Sequence, residues 1–191
     1  MWAGPGRDSM RGLRLGAAPD APYLVAMVDP EQFRRTLGSL AAGVCVATTR
    51  NGEGRPVGVT VSSFTSVSLD PPLVLFCLDR GSLSHAAFTG AGHWAVNLLA
   101  AGQQDASDRF AFGPDPFAGT GWAPGLHGVP LLDGALGAVE CAAHARHDGG
   151  DHSILVGLVL RARTASGAPL LYWRGRYGGF TGTAQEAPAA R

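Results

Sequence analysis

The chain carries no excess of charge: Lys+Arg and Asp+Glu both number 15, and the formal net charge is zero. Without a basic field there is nothing to gather a phosphate backbone, so nucleic-acid binding is disfavoured. No apolar run approaches the ~18–20 residues that a membrane span needs. The first residues, Met1–Pro22, lack the apolar stretch of about 7–15 residues that marks a secretory signal. The three cysteines, Cys45, Cys77 and Cys141, are odd in number and widely spaced, which excludes a disulfide framework. Cys45 and Cys77 lie inside apolar runs and read as small buried hydrophobes. A reducing cytoplasm is therefore the default location. There is no Gly-x-Ser-x-Gly elbow, no dinucleotide-type glycine pattern and no Walker A loop. No cysteine has a basic neighbourhood that would activate it.

What is present is apolar surface and turns. Hydrophobic residues make up 46% of the 191, against 16% charged, which suits one globular domain with much burial, including burial in an oligomer. Gly (28) and Pro (13) are abundant, as many turns and short strands require. Residues 1–28 read as a disordered tail, 29–180 as the folded domain, and 181–191, rich in Ala and Pro, as a flexible end.

Asp29-Pro30-Glu31-Gln32 predicts a helix start, with Asp29 as cap and Pro30 in the first turn. Phe33, Leu37, Leu40 and Ala41 continue at helical spacing, and Gly43 is expected to end it. Val44–Thr49 and Val57–Ser63 read as a hairpin turning at Asn51-Gly52. The unbroken run Leu73–Leu78 predicts a strand buried on both faces. Ser82 is expected to cap a short helix over Leu83–Phe88. His93–Leu98 reads as a strand, Gln103–Phe112 as a helix, and Gly113–Gly128 as an ordered loop. Leu136–Arg146, Ser153–Ala165 and Pro169–Arg174 read as strands. Six or seven strands with two or three peripheral helices predict a mainly β fold, a small barrel.

Four segments could carry chemistry. Thr60, Val61, Ser62 and Ser63 begin a bend of small hydroxylic side chains that leads into Leu73–Asp79. Such a surface can lie against a polar aromatic ring and offer it backbone N–H groups. It is equally an ordinary Ser/Thr-rich strand and turn. Asp79-Arg80-Gly81-Ser82-Leu83-Ser84 follows a strand and opens a helix, a position that suits phosphate, or simple capping by Ser82. His147-Asp148-Gly149-Gly150-Asp151-His152 is a polar turn, with His144 and Cys141 nearby. A metal site rivals a ligand-facing His there, but the spacing matches no zinc signature, and none is assigned. Last, Leu170–Gly178 is an aromatic strand ending in Arg174, Arg176 and Tyr177, either core plus surface charge or the mouth of a pocket. Arg109-Phe110 on the middle helix reads as packing or as a lid over a ring.

Taken in order, these blocks resemble the flavin reductase family with the FMN-binding split-barrel fold, the small reductase partners of two-component flavin monooxygenases. The likeness runs from about Phe33 to Tyr177. It rests on GVCVATT within Phe33–Thr49, GVTVSSFTSVSLDPP (Gly58–Pro72), VLFCLDRGSLS (Val74–Ser84), WAVNLL (Trp94–Leu99) and GDHSILVG (Gly150–Gly157), with PLLYWRGRYG behind. The resemblance implies hydride transfer from NADH or NADPH to FMN or FAD, a homodimer with each flavin near the subunit boundary, and a monooxygenase partner. It implies that Thr60, Val61, Ser62 and Ser63 contact the isoalloxazine edge, and that Cys77, Leu78 and Asp79 line the ring and ribityl chain. Ser82 and Ser84, with Arg80, would hold the phosphate. Phe110 would lie beside the ring, Gly150, Asp151 and His152 would face the nicotinamide, and Tyr177 belongs to the closing motif. His152 is the expected nicotinamide-positioning residue. Gly81 departs from the family, where a Ser or larger residue is frequent. A flavin-binding protein without reductase activity, and a cofactor-free structural relative, remain the alternatives; the choices of FMN or FAD and of NADH or NADPH stay open.

Overall fold

A computed structural model describes residues 28–180; the expected terminal tails lie outside the described residues, apart from Val28. Helix α1 (Pro30–Leu37) starts as its sequence dictates. The Asp29 carboxylate accepts from the Gln32 N–H at 2.9 Å, and Pro30 fills the first turn. It ends sooner than its apolar spacing suggests. Gly38 is the C-cap, and Gly43 belongs to a two-residue strand, β1 (Ala42–Gly43). No residue of α1 is buried: Phe33 and Leu37, spaced as for a core, are half exposed.

The framework is a seven-stranded sheet, antiparallel throughout, in the order β3 (Pro56–Val61), β2 (Cys45–Arg50), β6 (His93–Leu98), β9 (Gly137–Gly149), β10 (His152–Thr164), β5 (Pro72–Asp79), β4 (Thr65–Leu69). The chain leaving β3 meets β5 again through Ser63, whose hydroxyl accepts from the Cys77 N–H at 2.9 Å and reaches the Cys77 carbonyl at 3.1 Å. The sheet thus nearly closes on itself, as the split barrel expected from the sequence. Helix α2 (His85–Gly90) follows β5 and α3 (Gln104–Phe112) follows β6. Within the segment expected as a loop, β7 (Trp122–Pro124) is a strand that pairs with β8 (Pro130–Leu132) just beyond it, and β1, β11 (Leu171–Trp173) and β12 (Arg176–Gly178) form a small second sheet in that order.

Inside the barrel Phe76 stands edge-on to Trp94 (centroids 5.1 Å apart) and to Phe88 (5.6 Å). Val61, Val74, Leu78 and Leu155 complete that core. Gly157 is required where β10 passes this cluster, since a Cβ there would lie 2.3 Å from Trp94 Cζ2. A second cluster, Val44, Val46, Leu99, Phe110, Leu132 and Leu170, fills the space between the large sheet, α3 and the small sheet. Buried polar groups are satisfied. Asn97 donates to the Val46 carbonyl and accepts from the Leu132 N–H. Glu140, 1% exposed, receives a two-pronged bond from Arg161 and the Leu126 N–H.

Three local expectations need correction. The Leu73–Leu78 run is not buried on both faces. Val74, Phe76 and Leu78 face the core, while Leu73, Leu75 and Cys77 are half-buried on the outer side, because an antiparallel strand with no helix over that face leaves it partly open. The β2–β3 turn is longer than Asn51-Gly52. It runs to Arg55, Gly54 takes the positive φ (76°), and the Asn51 side chain accepts from the N–H groups of Glu53 and Arg55. Ser82 does not cap α2: the helix starts at His85, Ser84 is at its N-cap, and Leu83 is fully exposed.

Candidate functional site

Three segments far apart in sequence meet at one end of the barrel. The first is the end of β3, Thr60 to Ser63. Because β3 is an edge strand, paired only with β2, its outer edge keeps backbone groups available. The second is the turn after β5. The Asp79 carboxylate accepts from the Gly81 N–H at 2.7 Å, its carbonyl accepts from the Ser82 N–H, and the Ser82 hydroxyl accepts from the Ser84 N–H at 3.2 Å. The third is the β9–β10 turn, drawn alongside because His152 pairs with Asp79.

Arg80 fastens the second segment to the third. Its N–H donates to the Asp151 carbonyl (3.0 Å), its Nε to the His152 carbonyl (3.3 Å) and its Nη2 to Asp148 Oδ1 (2.9 Å). The Gly150 N–H, followed by the Arg80 charge, holds the Asp148 carboxyl below the usual carboxylate range. Ser84 fastens the second segment to the first, its hydroxyl donating to the Gly58 carbonyl at 3.3 Å. Beside them His85 Nε2 lies 3.0 Å from the hydroxyl of buried Ser153.

His152 is part-buried, and its Nδ1 lies 2.7 Å from Asp151 Oδ1. An ionised carboxylate only accepts, so this bond puts the ring proton on Nδ1 and leaves Nε2 as an acceptor in the neutral ring. Burial raises the Cys77 pKa, with an opposing contribution from the Ser63 bond, so the thiol stays protonated and is no nucleophile.

On the other flank, α3 seats on β3. The Thr60 hydroxyl donates to the Ser107 carbonyl at 2.6 Å, and the Phe110 ring lies on Gly58, where a Cβ would come within 2.5 Å of it. Between this flank and the small sheet opens a narrow cleft lined by Val44, Thr60, Ser62, Ser107, Tyr172 and Tyr177. The Tyr177 hydroxyl donates to Asp108 Oδ1 at 2.7 Å and lies 2.9 Å from the Ser107 hydroxyl.

The structure therefore brings Ser62, Ser63, Cys77, Asp79, Arg80, Ser82, Ser84, Gly150, Asp151 and His152 to one end of the barrel, with Tyr177 across the cleft from Ser62. Val61, Leu78 and Phe110 differ: their side chains are 5%, 2% and 4% exposed and face the core. What they could offer a bound ring is backbone, and Phe110 packs edge-on to Phe117 instead. Ser107, Asp108 and Tyr172 were not expected in the site. Ser107 stands one helical turn before Phe110, and that shared face was the one signal available for it. Among the described residues no three His, Cys, Asp or Glu side chains converge as a metal cage.

The donor set suits a flavin. Small hydroxyls of Thr60, Ser62 and Ser107 border the narrow cleft, with Tyr172 and Tyr177 on its other side. The Ser62 hydroxyl, half-buried there, makes no hydrogen bond within the described residues, whereas those of Thr60 and Ser63 do. Arg80, Ser82 and Ser84 suit a phosphate.

A nearly closed antiparallel barrel with such a rim defines a flavin-binding split-barrel protein. Residues 37–181 match the flavin reductase like domain, and the chain belongs to that family. It is 45% identical over 149 residues to the FMN reductase (NADH) SmoA of Agrobacterium fabrum, covering 78% of this chain and 85% of that one. It is 41% identical over 163 residues to HsaB, the reductase subunit of a flavin-dependent monooxygenase from Rhodococcus jostii, covering 84% and 83%. The NADH:FAD oxidoreductase SgcE6 of Streptomyces globisporus, solved with NAD and FAD fragments, superposes with a TM-score of 0.77 at 39% identity, covering 83% of this chain and 99% of that one.

Proposed function

We propose that the protein is an NADH-dependent flavin reductase that supplies reduced flavin to a partner monooxygenase. The supporting observation is the meeting of β3, the turn after β5 and the β9–β10 turn around a rim of small hydroxyls, of which that of Ser62 makes no hydrogen bond within the described residues. The family and the names of the relatives point the same way. A bound FMN or FAD would supply the redox chemistry, taking a hydride from the nicotinamide and passing the electrons on.

The chain's own task is placement. Ser62, Ser63 and the backbone of Thr60 and Val61 would border the ring edge and offer it hydrogen-bond donors. Cys77 and the backbone of Leu78 and Asp79 flank the ring and ribityl chain. Ser82, Ser84 and Arg80 hold the phosphate. Gly150, Asp151 and His152 would form the nicotinamide wall, with Asp151 fixing the His152 proton on Nδ1 so that Nε2 would be free to accept from a carboxamide N–H. Hydride transfer between stacked rings needs no strong acid or base, only their close placement.

The protein is proposed to act as a homodimer. The exposed apolar residues Phe33 and Leu37 on α1, Val67 and Leu69 on β4, and Leu83 supply surface for a second copy. Light scattering on a sizing column should return twice the chain mass. The decisive assay follows NADH absorbance with and without added FMN or FAD. Oxidation that depends on flavin is expected; its absence, with flavin fluorescence unquenched by the protein, would overturn the reading.

A further inference from the structure

The geometry points to Asp108 as a positioning residue for the flavin cleft, acting through Tyr177. The inference rests on the flavin-reductase reading and extends it to a side chain that touches neither flavin nor nicotinamide in that reading.

Three hydrogen bonds join α3 to the two sides of the cleft. Thr60 on β3 donates to the Ser107 carbonyl at 2.6 Å. Tyr177 on β12 donates to Asp108 Oδ1 at 2.7 Å, and its oxygen lies 2.9 Å from the Ser107 hydroxyl. The Asp108 carboxylate can only accept, so the phenol proton must point to it, and the Ser107 hydroxyl must then donate to the phenol oxygen. Asp108 thereby sets the direction of both bonds at the Tyr177 oxygen. A charged acceptor makes the Tyr177 bond the strongest of the three.

The consequence is geometric. β12 is a three-residue strand at the edge of the small sheet, and nothing in its own length would fix it against the barrel. Asp108 holds Tyr177, and Tyr177 meets Tyr172 edge-on with ring centroids 5.4 Å apart. The two rings then form the wall that faces Thr60 and Ser62 across the cleft. Burial above all pushes the Tyr177 phenol above its ordinary pKa; the Ser107 bond opposes this, and the Asp108 bond and charge and the neighbouring Tyr172 add to it, so it stays a donor. Asp108 and Tyr172 are the titratable groups that face it.

The test compares Asp108→Ala, Asp108→Asn and Tyr177→Phe with an exposed control on the same helix, Asp105→Asn. Flavin affinity is read from fluorescence quenching, and the Tyr177 proton from the alkaline tyrosinate absorbance of the flavin-free protein. Loss of one charge-assisted bond should weaken flavin binding roughly threefold to tenfold in Asp108→Ala and in Tyr177→Phe. Asp108→Asn keeps an acceptor and should fall between them and the wild type. The double variant Asp108→Ala/Tyr177→Phe should be no worse than either single one, because both act through one bond. The KM for NADH at saturating flavin should change by less than about twofold. In Asp108→Ala the highest tyrosine step should move down, and in Tyr177→Phe it should vanish. The inference fails if the wild type binds flavin and the variants bind it equally well, or if the tyrosine titration ignores Asp108. A wild type that neither quenches flavin nor oxidises NADH with it would instead overturn the reductase reading, while the titration still reports on the Asp108–Tyr177 bond.

Discussion

The Ser63 hydroxyl takes the place of a strand partner for Cys77: it accepts from the Cys77 N–H at 2.9 Å and returns a bond to the Cys77 carbonyl at 3.1 Å. Where β3 ends, one side chain completes the ladder that a further strand residue would otherwise have made, and the barrel is pinned there. Ser63→Ala leaves both backbone groups of a half-buried residue without that partner. It should cost about 1–3 kcal/mol. At roughly 2–4 °C per kcal/mol for a chain of this size, calorimetry should record a fall in Tm of several degrees. A Tm within a degree of wild type would show that water replaces the hydroxyl freely.

His152 faces the proposed nicotinamide side with its Nδ1 engaged by Asp151. His152→Ala should raise the KM for NADH several-fold, by about the value of one hydrogen bond, while the flavin Kd moves less. Steady-state kinetics with quenching titrations separate the two, and an unchanged KM would remove the role.

Gly157 lies beneath the Trp94 indole, with Cys141 Cβ 2.8 Å from where a Cβ would sit. Gly157→Ala forces the ring or β10 to shift. The expected cost is about 1–3 kcal/mol, read as a lower midpoint in a denaturant titration with an unchanged slope.

Glu140 is a buried acid whose pKa burial raises, but the Arg161 fork and the Leu126 N–H outweigh this and hold it below the usual carboxylate range. Its pKa in the folded protein thus lies below that in the unfolded chain. The stabilisation it gives is complete above the unfolded value of about 4.3 and is lost as pH falls through the folded one. Glu140→Gln should cost about 1–3 kcal/mol of stability at neutral pH for the lost charged bonds, seen as a lower Tm. The decline of Tm in the acid range should be shallower in the variant. Parallel curves for the two proteins would show that Glu140 does not govern that limb.

Most of the framework was legible in the sequence because it is written locally. His93–Leu98 came out with its ends correct, and Asp29 with Pro30 announced α1. Apolar spacing could not tell core from open surface: the β5 run read as buried on both faces and is half-buried on its outer one, and the helical spacing of Phe33 and Leu37 gave no sign that α1 lies on the surface. β4 was missed because Thr65, Ser66 and Ser68 resemble a loop, and an edge strand needs little apolar content. In the site, the hydroxyl bend and the Asp79–Ser84 turn were visible from residue type and order. That Arg80 reaches Asp148 and that Ser84 reaches Gly58 were not, since such pairings depend on how the sheet closes. Asp108 gave no signal, because its partner Tyr177 lies 69 positions away.

Thr60 lines the cleft and also ties β3 to α3, and Ser63 beside it ties the end of β3 to β5, whereas Ser62 lines the cleft and ties nothing within the described residues. On the proposed reading, an engineer who wants another flavin, or a looser grip on the same one, has in Ser62 a hydroxyl that can be exchanged without loosening the container. Changes at its two neighbours would alter selectivity and heat resistance together, so screens at this rim should recover tolerated diversity at position 62 and little beside it.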